Sequence, residues 1–160
     1  MKYLSGEEEK KAIKYIDEAA QIALSSNCLR SRCGAVIVKD NKVIGKGFNS
    51  PPKNKHLNYC HKDNLPSSFK SDRTCCIHAE QRAIMDALKN APKKINGSRI
   101  YFIRLDEHGN KKRAGKPYCT ICSKLALDVG IAEFVLWHEK GICVYDTEEY
   151  NTLSFQFKAD

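Results

Sequence analysis

The sequence contains no continuous apolar run approaching the roughly 20 residues that a helix needs to cross a bilayer. Its first residues, Met1 to Lys10, are mostly polar and include no apolar signal-peptide core. The chain also has no internal repeat, no low-complexity tract and no obvious linker, which argues against a repeat array or two separate cores. These absences predict a single cytoplasmic domain over residues 1–160 with no membrane partner.

Acidic residues are scarcer than basic ones, whereas cysteine is frequent. The 160 residues include 27 lysines and arginines against 19 acidic residues, so the formal net charge is +8. Such a charge attracts nucleotide phosphates, RNA or single-stranded DNA, although lysines scattered over a solvated surface give the same total. The eight cysteines remain free thiols in a reducing compartment, which favours metal ligation or burial over disulfides.

Hydrophobic periodicity predicts helices that alternate with buried strands. Ser5 and Glu8 form a capping-box pattern at the start of the first helix. The predicted helices cover about residues 5–26, 79–88 and 119–130. Apolar, β-branched runs predict strands over residues 34–38, 43–48, 99–105 and 133–137. This alternation predicts an α/β fold with a mixed sheet and helices on both faces.

The tail and one internal segment are less determined. After Trp137, either residues 142–145 pair back as a fifth strand, or Thr147 caps a short helix that leads to a strand over residues 153–157. Residues 49–74 are polar and contain three prolines, which predicts a long loop, an insertion at about residues 50–75. A loop of this length inside a compact domain is usually functional, disordered or held by another group.

One group of residues has the composition of a catalytic zinc site. His78 and the pair Cys119-x-x-Cys122 supply one imidazole and two thiolates, a ligand set that zinc prefers, and leave a fourth position open for water. Each set stands at a predicted helix start, where free amides and the helix dipole stabilise thiolates. Glu80, two residues after the histidine, is placed to transfer protons without binding the metal. The cysteine pair alone would equally suit a redox centre or a structural zinc site.

These residues resemble the zinc-dependent cytidine/deoxycytidylate deaminase superfamily, whose signature is H-x-E followed by P-C-x-x-C. The resemblance extends from about Cys28 to Trp137 and is closest to deoxycytidylate (dCMP) deaminases. It includes the strand at residues 32–38, the turn at 47–51 and the catalytic helix at 78–84. The chain departs from the signature at Tyr118, which separates Pro117 from the first cysteine.

The resemblance implies a three-layer α/β/α cytidine deaminase-like fold with a mixed five-stranded sheet. It also implies hydrolytic deamination of the exocyclic amine of a cytosine nucleotide or nucleoside, with Zn²⁺ as cofactor and a homo-oligomer as the expected assembly. By the same resemblance, Asn49 is expected to contact the sugar and Ala79 to approach the pyrimidine. A base within RNA or single-stranded DNA remains an alternative substrate, and a non-catalytic zinc-binding interaction module is a third possibility.

The remaining cysteines around the long loop suggest a second, structural zinc. Some deoxycytidylate deaminases hold such an ion in an insertion at this place, and the resemblance implies Cys28, Cys60 and Cys75 as ligands, with His61 or Cys76 as the fourth. Buried free thiols would explain the same cysteines. Two further residues bear on the substrate. If Arg30 or Arg32 binds a phosphate, the enzyme is expected to prefer a nucleotide over its nucleoside. In the alternative, both are surface residues at the end of the first helix and do not contact the substrate.

Overall fold

The computed structural model describes residues 1–66 and 74–157. The part of the predicted insertion at residues 67–73 lies outside the described residues. Seven strands are described, β1 Lys2–Tyr3, β2 Cys33–Lys39, β3 Lys42–Phe48, β4 Arg99–Leu105, β5 Lys111–Lys112, β6 Glu133–His138 and β7 Gly141–Asp146. The described helices are α1 Gly6–Ala23, α2 Ala79–Asn90, α3 Thr120–Asp128 and α4 Thr147–Gln156.

All of these strands belong to one mixed sheet. Its order is β1-β7-β6-β4-β2-β3, with β5 paired to the end of β4. Strands β4 and β6 are parallel, and the other neighbours are antiparallel. The β2–β3 connection is tight because Asp40 and Asn41 adopt positive φ angles of 51° and 58°, which short polar side chains tolerate better than most residues.

The two faces of the sheet bury separate apolar clusters. On one face α1 packs against β2, β4 and β7 through residues such as Ile16 and Val36. On the other face α2, α3 and α4 cover residues such as Ile37 and Phe134. Helices on both faces confirm the predicted three-layer α/β/α architecture.

Two glycines of β3 set the position of helix α2. A Cβ atom at Gly45 would collide with the Ala83 carbonyl oxygen, and one at Gly47 would collide with the backbone of Ala79 and Ala83. The absence of side chains at these positions therefore allows the helix backbone to lie directly on the strand. Because α2 begins immediately after His78, this contact determines where the predicted metal ligand and Glu80 stand.

Three local predictions need correction. Ser5 has extended N-cap geometry but its side chain caps no amide, while Glu8 pairs with Lys2 at 3.4 Å instead. In the tail, residues 141–146 form a strand, as the first alternative predicted, but the following helix is capped by Asp146 rather than Thr147 and no strand forms at 153–157. The described sheet has seven strands rather than five, because the two-residue strand β1 adds to one edge and the two-residue strand β5 pairs with the end of β4. Segments this short lack a periodic signal.

The described part of the insertion consists of short turns joined to the domain. A bridge pairs Ser50 with Ile77, and the Asn27 side chain donates to the Asn54 carbonyl at 2.8 Å. These contacts bring the segment against the loop that follows α1.

None of the described helices has the length and hydropathy that a bilayer span requires.

Candidate active site and metal centre

Three potential metal ligands converge where α2 and α3 begin. His78 is the N-cap of α2 and Cys119 is the N-cap of α3, with Cys122 one turn further along. The His78 Nδ1 atom lies 3.3 Å from the Sγ atom of each cysteine. Both sulfurs are buried, and the ligand atoms of all three residues lie within 4.8 Å of one another.

These separations fit a tetrahedral zinc site. Zinc bonds of about 2.3 Å to sulfur and about 2.0–2.1 Å to nitrogen imply a nitrogen–sulfur separation of about 3.6 Å in a tetrahedron, close to the spacing of this site. The His78 amide donates to the Gln81 side chain at 2.9 Å, which fixes the start of the helix. The three residues can therefore hold a zinc ion with small side-chain movements.

The electrostatics at these ligands favour a thiolate. Hydrogen bonding from Cys122 lowers the pKa of Cys119 to about 4, and the hydrogen bond with His78 acts in the same direction. The same hydrogen bond between the two thiols raises the pKa of Cys122, because Cys122 retains its proton when Cys119 is ionised. A metal cation at this point removes that competition by stabilising both thiolates.

Glu80 is a buried carboxyl group beside this cluster, in the first turn of α2. It is only 6% exposed. Burial raises the pKa of Glu80, and the charge on Cys119 raises it further. A carboxyl group in this environment holds a proton more readily than one in water, which suits a group that both accepts and delivers protons.

A cleft of about 310 Å³ opens in front of His78 and Glu80. Asn49 and Ala79, which sequence analysis proposed as substrate contacts, both line it. Among the lining residues that sequence analysis did not propose as site residues are Phe102, Arg104 and Tyr118. Strand alternation places Phe102 and Arg104 of β4 on one face, but the sequence does not say which face meets the site. Tyr118 directly precedes the first cysteine ligand.

Asn49 already makes several hydrogen bonds within the protein. Its side-chain oxygen accepts from the Cys33 amide at 2.7 Å and from the Ser26 hydroxyl at 2.8 Å. Its side-chain nitrogen donates to the Ser31 carbonyl at 2.7 Å. Asn49 therefore holds the segment between α1 and β2 against the cleft, and one N–H of its amide has no partner among these contacts.

Arg82 ties the Asn49 turn to helix α2. Its Nη2 atom donates to the carbonyl oxygens of Ser50 at 3.3 Å and Pro51 at 3.0 Å. Its guanidinium also lies 5.4 Å from the centre of the Phe48 ring. This arginine thus braces the turn that carries Asn49, a role that depends on tertiary contacts and that its helix position did not predict.

The cysteines proposed for a second zinc lie together along one rim of the cleft. The Sγ atoms of Cys60 and Cys75 are 3.5 Å apart. Burial raises the pKa of the Cys76 thiol, and the neighbouring Cys28 and Cys75 thiols raise it further. The His61 ring packs against Tyr59, with 5.0 Å between centres. Among the described residues, His78, Cys119 and Cys122 form the only group of three or more ligand atoms that all lie within 4.8 Å of one another.

The two arginines proposed as phosphate ligands differ in their surroundings. Arg30 lines the cleft, but its Nη1 atom binds the Asp63 carboxylate at 3.1 Å. Arg32 is not among the residues that line the cleft, and its Nη2 atom lies 3.5 Å from the Glu107 carbonyl oxygen. Arg30 therefore already has an anionic partner, and Arg32 lies outside the set of residues that line the cleft.

Comparison with known proteins agrees with this geometry. The model of the cytidine and deoxycytidylate deaminase zinc-binding region matches residues 9–138. The deoxycytidylate deaminase of Saccharomyces cerevisiae is 38% identical over 79 residues, which are 46% of this chain and 25% of the yeast protein. The chain thus matches about a quarter of that relative's length.

Two phage proteins match over a larger share of their length. The deoxycytidylate deaminase of Mycobacterium phage D29 is 30% identical over 129 residues, which cover 76% of this chain and 89% of the phage protein. The crystal structure of the dCMP deaminase from cyanophage S-TIM5 in complex with dCMP and dUMP is 26% identical, covers 82% of both chains and has a TM-score of 0.56. From the matched zinc-binding region and these relatives, the chain belongs to the cytidine and deoxycytidylate deaminase family.

Proposed function

We propose that this protein is a zinc-dependent hydrolase that removes the exocyclic amine of a cytosine nucleotide, giving the uracil nucleotide and ammonia. The observation that carries the proposal is the buried carboxyl of Glu80, placed beside a metal centre with only three described protein ligands and facing the cleft. A structural zinc site normally closes with a fourth side chain and has no use for an adjacent acid.

In this proposal His78, Cys119 and Cys122 hold the zinc ion. One neutral imidazole and two thiolates offset the charge of the cation. When bound, the zinc supplies Lewis-acid activation of the water that attacks the base. The buried positions of both sulfurs keep bulk water from competing for the ligands.

Glu80 carries the protons of the proposed reaction. A bond forms between the water oxygen and C4 of the base, and the bond from C4 to the amine nitrogen breaks. One proton of the water ends on ring nitrogen N3 and the other on ammonia, so a single carboxyl that alternately accepts and donates can serve both transfers. The raised pKa of Glu80, caused by burial, suits this exchange near neutral pH.

Asn49 and Ala79 are the proposed substrate contacts. Ala79 is fully buried at the first turn of α2, beside Glu80, so a base in the cleft would meet its backbone. Asn49 is held rigidly by its hydrogen bonds to the 26–33 segment, and its remaining N–H is proposed to donate to the sugar. The dCMP and dUMP complex of the cyanophage relative supports a nucleotide in such a cleft. A homo-oligomer and a cytoplasmic location remain predictions.

A substrate panel tests this function. We expect the zinc-loaded protein to release ammonia from dCMP with a higher kcat/KM than from deoxycytidine. We expect no release from the corresponding adenine and guanine nucleotides and nucleosides. The assay should quantify both ammonia and the uracil product, with cytosine-containing RNA and single-stranded DNA oligonucleotides in parallel. Turnover of oligonucleotides alone would assign the site to nucleic acid, and absence of any deamination would reject the enzyme.

We also propose a second zinc at Cys28, Cys60, Cys75 and Cys76. The influence of the Cys28 and Cys75 thiols on the pKa of Cys76, and the packing of the His61 ring against Tyr59, support Cys76 rather than His61 as the fourth ligand. A metal there would clip a polar segment that has little core of its own. Closing the site requires the four sulfurs to move together from their described positions.

The second zinc predicts a metal content of about two ions per chain. Cys60→Ala should lose about one of them and lower the Tm, because the thiolate is a ligand and its loss frees the segment. Elemental analysis and thermal unfolding measure both effects. Cys143→Ala, which removes a thiol buried in β7, is the control and should keep the parental metal content. Unchanged zinc in Cys60→Ala would show that packing alone holds the segment.

A further inference from the structure

A second cavity adjoins the catalytic cleft. It has a volume of about 300 Å³, and Glu80, Phe102, Arg104 and Tyr118 line both spaces. We call this second cavity the annex. Arg113 and Lys116 also line it. Of the residues proposed for the reaction, Glu80 lines the annex, whereas the zinc ligands, Asn49 and Ala79 do not.

Basic side chains predominate among the charged residues of the annex. Arg104, Arg113 and Lys116 line it, and Glu80 is the only acidic residue among the described residues of its wall. Positive charges that face one cavity repel one another, and low-dielectric walls reduce screening by water. An anion in the annex would relieve that repulsion.

Arg104 stands at the boundary between the two cavities. Its cross-strand neighbours are Cys33 on β2 and Lys112 on β5. The Nε atom of Arg104 is buried and has no hydrogen-bond partner in the described structure. A buried guanidinium N–H without an acceptor costs free energy, so most such donors in folded proteins find a partner. This N–H of Arg104 is therefore available to an acceptor that enters from outside the protein.

Arg113 is pre-oriented on the other side of the annex. Its guanidinium carbon lies 3.2 Å from the centre of the Trp137 ring, and a guanidinium stacked on an indole keeps its N–H groups free around its edge. Tyr118 and Phe157 pack against each other at 5.6 Å between ring centres and close a further wall. Guanidinium groups beside aromatic side chains suit an anion that is attached to a flat organic group.

We propose that the annex is an anion subsite of the active site, that Arg104 is its specificity-determining residue, and that it takes the phosphate of the substrate nucleotide. Anion binding stands on the geometry alone, whereas the identity of the anion as substrate phosphate rests on the proposed function. A phosphate presents several oxygens that guanidinium groups bind bidentately. Arg30, by contrast, is already paired with Asp63.

The test compares Arg104→Gln with Lys112→Gln in the zinc-loaded protein. Both variants remove one positive charge from neighbouring positions of the sheet, but Lys112 is exposed and does not line the annex. We expect Arg104→Gln to weaken the binding of inorganic phosphate, measured by calorimetry, by about tenfold or more. The ratio of kcat/KM for dCMP to that for deoxycytidine should fall by a similar factor. Lys112→Gln should leave both quantities within about twofold.

The outcomes separate this subsite from the proposed function. Phosphate affinity and substrate ratio that are unchanged in Arg104→Gln would overturn the subsite while leaving the deaminase intact. Phosphate binding that depends on Arg104 in a protein that deaminates neither monomer would uphold the anion site and reject its assignment to substrate. If the parent prefers oligonucleotides and Arg104→Gln abolishes that preference, the anion bound in the annex is not the phosphate of a mononucleotide. If Arg104→Gln does not fold, Arg113→Gln provides the same comparison.

Discussion

Glu80→Gln should remove nearly all deamination while the protein remains folded and keeps its zinc. Glutamine has the size and shape of glutamate, so the buried space in the first turn of α2 stays filled. It cannot accept a proton from water or deliver one to N3 and the amine, so only proton transfer is lost. The expected loss in kcat is at least about 10²–10⁴-fold, measured by steady-state ammonia release.

The matched control for this variant is Glu139→Gln, which changes an exposed carboxylate outside the cleft. Glu139→Gln should have parental activity, because the charge of an exposed carboxylate outside the cleft is screened by salt. Zinc content and Tm should equal the parental values in both variants. If Glu80→Gln retained activity within a few-fold of the parent, another group would have to transfer the protons, and the mechanism proposed above would be wrong.

Gly47→Ala should strongly destabilise the protein. The added methyl group would collide with the backbone of Ala79 and Ala83 in α2, and a helix backbone cannot give way as a flexible side chain can. Overpacking of this kind costs about 1–3 kcal/mol of unfolding free energy, and we expect the upper end here. For a chain of this size, about 3 kcal/mol lowers the Tm by about 6–12 °C. Thermal and denaturant unfolding measure the effect.

Gly115→Ala is the control for the stability measurement, because no atom lies within 4 Å of the position its Cβ would occupy. It should unfold within about 0.5 kcal/mol of the parent. Any folded Gly47→Ala protein should also deaminate slowly, because a displaced α2 moves His78 and Glu80 relative to Cys119. Parental stability in Gly47→Ala would show that α2 can shift away from β3 without loss.

The sequence was most informative where chemistry and periodicity agree. The metal ligands were predictable because zinc accepts few side-chain types and each set stands at a helix start. Strand β4 was predicted with the bounds that the structure shows, since its apolar residues are continuous. The tail was ambiguous because residues 147–156 have weak apolar periodicity, and the structure resolves it as a strand followed by a helix.

Other features depend on contacts between residues far apart in the chain. Strand β5 has only two residues, both lysines, and its pairing with β4 is visible only once the sheet exists. Arg82 reads in sequence as an ordinary helix residue, yet it braces the turn beside Asn49. The thiols at positions 28, 60, 75 and 76 were suggestive in sequence, and the proposal of Cys76 in place of His61 as a fourth ligand rests on the surroundings of both residues in the fold.

The sequence by itself determined the α/β class, the buried strands and the chemical type of the site, because periodicity and ligand chemistry are local properties of the chain. Only the tertiary structure decided which face of β4 meets Glu80, and hence that Arg104 stands between two cavities. The physical reason is that alternation along a strand divides its side chains into two sets, while packing of helices against the sheet decides which set faces the catalytic cleft.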